Sequence, residues 1–279
     1  MKKRIISSVV GICILMLVLF FYKTVVLNIA ITIITLMVTF ELLLAKKYFK
    51  YGWLTLICLV FSLFVSFLSS VYYYRFLVPI CVVFAFLLFV VMLYQYPKIR
   101  FEDVTTSFFI SVVVSIIFQM LISIRDKYSY RPQVALFYII LSLASAWLTD
   151  SGAYFIGVFF GKTKLASEIS PKKTIEGLLG GILSSAFLCF IIFLCFSYVF
   201  SKEGLQVSVN YLELISVLII ASALSVIGDL SASLIKRQCN IKDFGSIMPG
   251  HGGVLDRFDS VIFTIPFYYL IDMFLPLVK

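Results

Sequence analysis

Nine stretches of this chain are apolar over about the thickness of a bilayer core, and no other feature limits the fold as strongly. They run from Ile5 to Phe21, Thr24 to Leu44, Trp53 to Tyr73, Phe76 to Leu93, Ser107 to Ile124, Val134 to Phe160, Gly177 to Phe200, Leu212 to Ile235 and Ser260 to Leu277. At a rise of about 1.5 Å per residue, roughly 20 such residues cross the hydrocarbon layer. Lipid offers backbone N–H and C=O groups no partner, so the spanning segments must be helices. The expected fold class is all-α, a polytopic integral membrane protein with about nine transmembrane helices. Composition agrees: 62% of the residues are hydrophobic and 13% charged, against roughly 45–50% apolar and 25% charged in soluble domains. Lys2, Lys3 and Arg4 precede the first window as in a signal peptide, but no small-residue cleavage site follows Phe20-Phe21-Tyr22, so it reads as an uncleaved span.

Basic residues set the expected orientation. With the N-terminus in the cytoplasm, sixteen of the 23 lysines and arginines fall on that side and seven on the other. The positive-inside rule therefore places the N-terminus in the cytoplasm, and an odd number of spans puts the C-terminus on the far side. The net charge of +9 suits contact with anionic lipid headgroups. Nucleic-acid binding is the poorer explanation of that charge, and no nucleic-acid partner is expected, because the basic residues sit in short loops between spans and form no separate soluble domain. Five of the six cysteines lie inside apolar windows and Cys239 stands alone in a loop, so the sequence supports neither a disulfide framework nor a zinc site.

Two regions differ in character. Residues 1–125 hold five spans of Leu, Ile, Val and Phe joined by short turns and read as scaffold; their one intramembrane acid, Glu41, is expected to reach the interface or pair with Lys46 or Lys47. Residues 134–279 acquire acids and glycines, and the family resemblance carried by their motifs makes them the expected catalytic region. Asp150 falls within an apolar window, where an isolated charge costs about 2.5–3.5 kcal/mol, so it must face protein, water or a cation. In the loop after it, Ser170-Pro171 ends one element before Thr174 caps the next helix, whose first turn carries Glu176. Gly177, Gly180 and Gly181 then permit close approach of another helix.

The chemistry concentrates between Gly228 and Ser260. Asp229 ends an apolar run behind Gly228, while Asp256 and Asp259, three apart, share a helical face at the start of the last span. Carboxylates converging there raise one another's pKa unless a cation lies between them. A hard divalent ion, Mg2+, is the expected occupant, on Asp229, Asp256 and Asp259. Lys162, Lys164, Lys172, Lys173, Lys236, Arg237, Lys242 and Arg257 exceed what three acids need, which points to a polyanion and to phosphoryl or nucleotidyl transfer. The turn Pro249-Gly250-His251-Gly252-Gly253 could present backbone N–H groups to an anion.

Ser233-Leu-Ile-Lys236-Arg237, then Lys242-Asp243, Gly245 and Pro249-Gly-His251-Gly252-Gly253-Val-Leu-Asp256-Arg257-Phe-Asp259 closely resembles the signature of the phosphatidate cytidylyltransferases, or CDP-diacylglycerol synthases. A second block, Asp150-Ser-Gly-Ala-Tyr154, Gly157, Gly161-Lys162, Ser170-Pro-Lys172-Lys173-Thr174, Glu176-Gly177, is similar to the same family. Ser167, Ile175 and Met248 depart from the usual residues, and none of them removes a charge. The resemblance implies Mg2+-dependent transfer of CMP from CTP to phosphatidate at the cytoplasmic face of a bacterial inner membrane. Two metal ions, or one with a monovalent companion, fit it equally, and a homodimer is compatible with it. It assigns catalysis to Asp229, Lys236, Arg237, His251, Asp256, Arg257 and Asp259. Substrate binding falls to Lys162, Ser170, Lys172, Lys173, Thr174, Glu176, Lys242, Gly252 and Gly253. Two rivals are a CTP-dependent lipid kinase, disfavoured by the full His-Gly-Gly-x-x-Asp-Arg-x-Asp run, and a secondary transporter using Asp150 and Asp229, disfavoured because the charges gather at the ends of spans.

Overall fold

The structure is a computed structural model that describes residues 2–68, 70–205, 207, 210–247 and 252–278. In chain order its elements are α1 (Lys2–Phe20), α2 (Val25–Ala45), a 3-10 turn (Tyr48–Lys50), α3 (Gly52–Phe67), α4 (Ser70–Tyr94), α5 (Phe101–Lys127), α6 (Pro132–Phe160), β1 (Lys164–Ala166), β2 (Ser170–Thr174), α7 (Ile175–Lys202), α8 (Tyr211–Gln238), α9 (Leu255–Phe258) and α10 (Val261–Phe274). Every apolar window carries a helix. Among the described residues six helices, α2 and α4 to α8, are long and apolar enough to cross a membrane, and the other three windows hold shorter apolar helices, Val9–Phe20, Gly52–Phe67 and Val261–Phe274. The β1–β2 hairpin has no apolar pattern to announce it. It pairs antiparallel, Lys164 with Thr174 and Ala166 with Ser170, and Pro171 is tolerated because a two-stranded ribbon leaves each strand an open edge.

The chain forms two compact units, Met1–Lys127 with Cys239–Asp256, and Tyr128–Gln238 with Arg257–Lys279. The segment Cys239–Asp256 thus groups with the first five helices. In the first unit an aromatic stack, Phe61 on Phe84 at 4.1 Å and Phe84 on Phe108 at 5.6 Å, ties α3, α4 and α5 together. Along α5, Ser107, Ser111, Ser115, Gln119 and Ser123 recur every fourth residue and are all buried, the small-residue seam by which membrane helices approach closely. Arg125 closes the end of α5, with Nη1 donating to Thr24 O at 3.1 Å and to Asn28 Oδ1 at 2.5 Å.

The second unit is built on α6 against α7. A Cβ at Gly177 would stand 2.8 Å from Ala153 O and 3.1 Å from Gly157 Cα, and one at Gly181 would stand 2.7 Å from Thr149 O. Only glycine fits at these positions. Thr174 caps α7 as expected, its Oγ1 accepting from Gly177 N at 3.1 Å. Buried hydroxyls fasten α10 to α6: Thr264 Oγ1 donates to Ser142 O at 2.7 Å, and Ser145 and Tyr268 share a hydrogen bond of 2.7 Å. Asp272 is buried in α10 and accepts from Tyr128 OH at 2.5 Å.

Candidate active site

Three acids of the second unit come within electrostatic reach of one another: Asp150 of α6, Asp229 of α8, and Asp259 in the turn between α9 and α10. Their meeting has a steric cause. At Gly228 an added Cβ would lie 2.7 Å from Asp259 O and 3.1 Å from Ser260 Cα, so α8 touches the turn backbone at the residue before Asp229. Ser260 joins the other pair, its Oγ donating to Asp150 Oδ2 at 2.9 Å while its N–H donates to Asp259 Oδ1 at 2.8 Å. Asp259 is buried, and burial, followed by the charges of Asp229 and Asp150, raises its carboxyl to about 7, with Lys236 opposing. Lys173 Nζ pairs with Asp229 Oδ2, and Lys173 and Arg257 both act on Asp150.

The hairpin delivers the lysine. Glu176, in the first turn of α7, reaches back so that its carboxylate accepts from Lys162 N at 3.0 Å and Thr163 N at 3.1 Å, and Ile175 N donates to Thr163 O at 3.0 Å. These bonds fix both ends of the ribbon and direct the half-buried Lys173 towards Asp229, while Lys162 and Lys172 are exposed. Ser170 opens β2. Arg237, at the end of α8, donates from Nε to Ile169 O at 3.2 Å and so braces the ribbon's turn. Trp147 Nε1 donates to Arg257 O at 3.0 Å, holding the chain three residues after Val254 against α6. Glu176 and Arg237 therefore bind protein here, roles that charge alone does not announce.

In the first unit the glycine loop is organised by two carboxylates. Asp256 Oδ2 accepts from Phe244 N and Gly253 N, both at 2.9 Å, and Gly252 takes a positive φ of 82° over Asp243. Glu41, buried in α2, accepts from Val254 N at 2.9 Å and Leu255 N at 2.8 Å. It does not serve the interfacial pairing with Lys46 or Lys47 expected of it. Lys242 is exposed, and His251 with Pro249 and Gly250 lies outside the described residues. The shared helical face expected for Asp256 and Asp259 is also replaced, because α9 ends at Phe258 and Asp259 sits in a break. Sequence reasoning did not assign Asp150 to the cluster or Glu41 to the loop; the cost of an acid in an apolar window signalled both, and Asp150 also opens the second family block.

The donors suit a hard cation. Among the described residues no three Asp, Glu, Cys or His side chains form a ready cage. Yet Asp150, Asp229 and Asp259 offer only carboxylate oxygen and repel one another, a set that fits Mg2+ and not a soft metal.

The model of the cytidylyltransferase family matches residues 2–275 of the chain. Among curated proteins, the phosphatidate cytidylyltransferase of Bacillus subtilis (strain 168) is 39% identical over 175 residues, covering 62% of this chain and 60% of that one. That of Haemophilus influenzae is 41% identical over 143 residues, 51% of this chain and 48% of its own. That of Staphylococcus epidermidis is 43% identical over 129 residues, 46% of each. The aligned part thus spans about half the length of these relatives, up to 60% in the first.

Proposed function

The chain belongs to the cytidylyltransferase family, and from that premise we propose that it transfers CMP from CTP to phosphatidate, giving CDP-diacylglycerol and pyrophosphate. The observation that carries this reading is the meeting of Asp150, Asp229 and Asp259 with Lys173 and Lys236 in one cluster. The relatives at about 40% identity carry the name of this reaction, and the helices place the chain in a membrane, where its lipid substrate resides.

The reaction asks little covalent chemistry of the protein. The phosphatidate phosphate is already anionic at neutral pH and attacks the α-phosphorus of CTP; the new P–O bond forms as the bond to pyrophosphate breaks, and no general base is required. What the chain must do is bring two polyanions together and hold them in line. Lys173, Lys236 and Arg257 bring positive charge to the acid cluster, and Lys162, Lys172 and Lys242 are exposed to draw in nucleotide or headgroup. Asp229 and Asp259, with Asp150 beside them, would hold Mg2+, alone or with a second ion, and the ion would supply Lewis-acid stabilisation of phosphate charge. Lys173, paired with Asp229 in the structure, then exchanges that carboxylate for a phosphate oxygen. The proposed setting is the bacterial cytoplasmic membrane, with the cluster open to the cytoplasm.

The test is to incubate the purified chain in detergent with phosphatidate, Mg2+ and labelled CTP. Pyrophosphate release with a cytidine-bearing lipid is expected, and Asp229→Asn should reduce the rate at least a hundredfold while the protein stays folded. Release of CDP with a phosphorylated lipid alcohol, in a parallel incubation that offers the lipid alcohol in place of phosphatidate, would instead make the chain a CTP-dependent lipid kinase and overturn the proposal.

A further inference from the structure

Glu41 carries an inference that the proposed reaction does not require. It is a carboxylate with 1% exposure, in the middle of a chain region that is otherwise Leu, Val, Thr and Phe. Burying a charge there is costly unless its lone pairs are filled. They are filled by a segment 213 residues away: Oε1 accepts from Val254 N at 2.9 Å and Oε2 from Leu255 N at 2.8 Å. The loop is shaped to receive it. An added Cβ at Gly253 would lie 2.6 Å from Glu41 Oε2, and one at Gly245 would press on the same carboxylate. Two further amides are taken by Asp256, whose Oδ2 accepts from Gly253 N, just before this pair, and from Phe244 N. Glu41 and Asp256 together therefore satisfy the backbone N–H groups of Gly253, Val254 and Leu255 in succession, and the path of the loop into α9 is fixed by these bonds.

We propose that Glu41 is a positioning residue for the reaction: its two carboxylate oxygens hold Val254 and Leu255, and through them the glycine loop and Asp256, in the working conformation. The residue type follows from the hydrogen-bond inventory. Two neighbouring N–H donors need two acceptors in a fixed fork, which only a carboxylate offers; glutamine has one acceptor and would turn an NH2 donor against the second N–H. The bonds are charge-assisted and buried, so losing one leaves a buried donor unmatched. Aspartate keeps both acceptors but is one methylene too short to reach.

The kinetic arm of the test rests on the proposed reaction, and a second arm does not. Glu41→Gln and the wild-type chain are purified in detergent and compared in two ways: turnover of labelled CTP with phosphatidate, and amide hydrogen exchange of peptides covering residues 252–258. The variant is expected to lose at least tenfold in kcat with the KM for CTP within threefold. Exchange in 252–258 should accelerate at least tenfold, while peptides from α6 and α7 exchange as in the wild type. Unchanged exchange in 252–258, turnover within twofold of wild type, or acceleration throughout the chain would each overturn the proposal. Should Glu41→Gln not accumulate as folded protein, Glu41→Asp is measured against the same criteria. A wild-type chain without turnover refutes the proposed reaction and leaves the exchange comparison to decide the role of Glu41, a local rise supporting it and none overturning it.

Discussion

Asp259 shows what a buried acid does to the whole molecule's response to pH. An unfolded aspartate titrates near 3.9, whereas in the folded chain burial, then Asp229 and Asp150, lift Asp259 to about 7. Between those values the folded state keeps a proton that the unfolded chain has lost, so stability falls as pH rises through that window. A divalent cation competes with the proton and relieves the repulsion. In detergent with chelator, the thermal midpoint is therefore expected to decline between about pH 5 and pH 7.5, Mg2+ is expected to raise it more at the upper end than at the lower, and Asp259→Asn should flatten the decline. A wild-type profile already flat in that range would show that Asp259 ionises normally. Asp229 and Asp259 were legible in the sequence because acids at the ends of apolar runs demand a partner. The partner of Glu41 was not, since nothing local distinguishes an acid that meets an interface from one that meets backbone 213 residues on.

At the scale of elements, the contact between α6 and α7 decides where Asp150 can stand. Gly177 and Gly181 let α7 lie directly on the backbone of Ala153 and Thr149, the latter adjacent to Asp150. The sequence disclosed this close approach through its glycine spacing, but it did not identify the neighbour, because spacing marks a helix face and not what covers it. A side chain at Gly181 would press on Thr149 O at 2.7 Å and Ala153 N at 2.9 Å, backbone atoms that cannot swing aside. Gly181→Val is accordingly expected to cost roughly 1–3 kcal/mol through overpacking and to reduce turnover by moving Asp150. Gly52→Ala, at a position with nothing within 4 Å, should stay within about 0.5 kcal/mol of wild type, as surface changes usually do. Thermal unfolding in detergent, followed by intrinsic fluorescence, separates the two; equal midpoints for both variants would contradict the packing seen at Gly181. The hairpin was the element least visible in advance. Its strands are three and five residues long, and it is held by Glu176 accepting from loop amides, a bond between a helix and the segment before it that no periodicity reports.

For the molecule as a whole, hydropathy was enough to anticipate an all-helical membrane protein, because the bilayer permits few alternatives. It could not foresee that Cys239–Asp256 would pack with the first five helices, since a polar loop carries no record of which helices it will rest on. Orientation in the membrane is likewise a property of the entire charge distribution, and it can be examined across one span. α7 joins the lysine hairpin to the segment that includes Glu203. It is 28 residues long and apolar enough to cross a membrane, so the two ends should open to opposite sides. Lys162, Lys164, Lys172 and Lys173 lie before it and Lys202 alone at its far end, and positive charge favours the cytoplasm. In a background with the six native cysteines replaced, Lys164→Cys should resist a membrane-impermeant maleimide in intact spheroplasts and react in inverted vesicles. Glu203→Cys should show the reverse. Labelling of Lys164→Cys from outside intact cells would invert the topology and place the lysine hairpin away from cytoplasmic CTP; labelling of both from one side would mean that α7 does not cross.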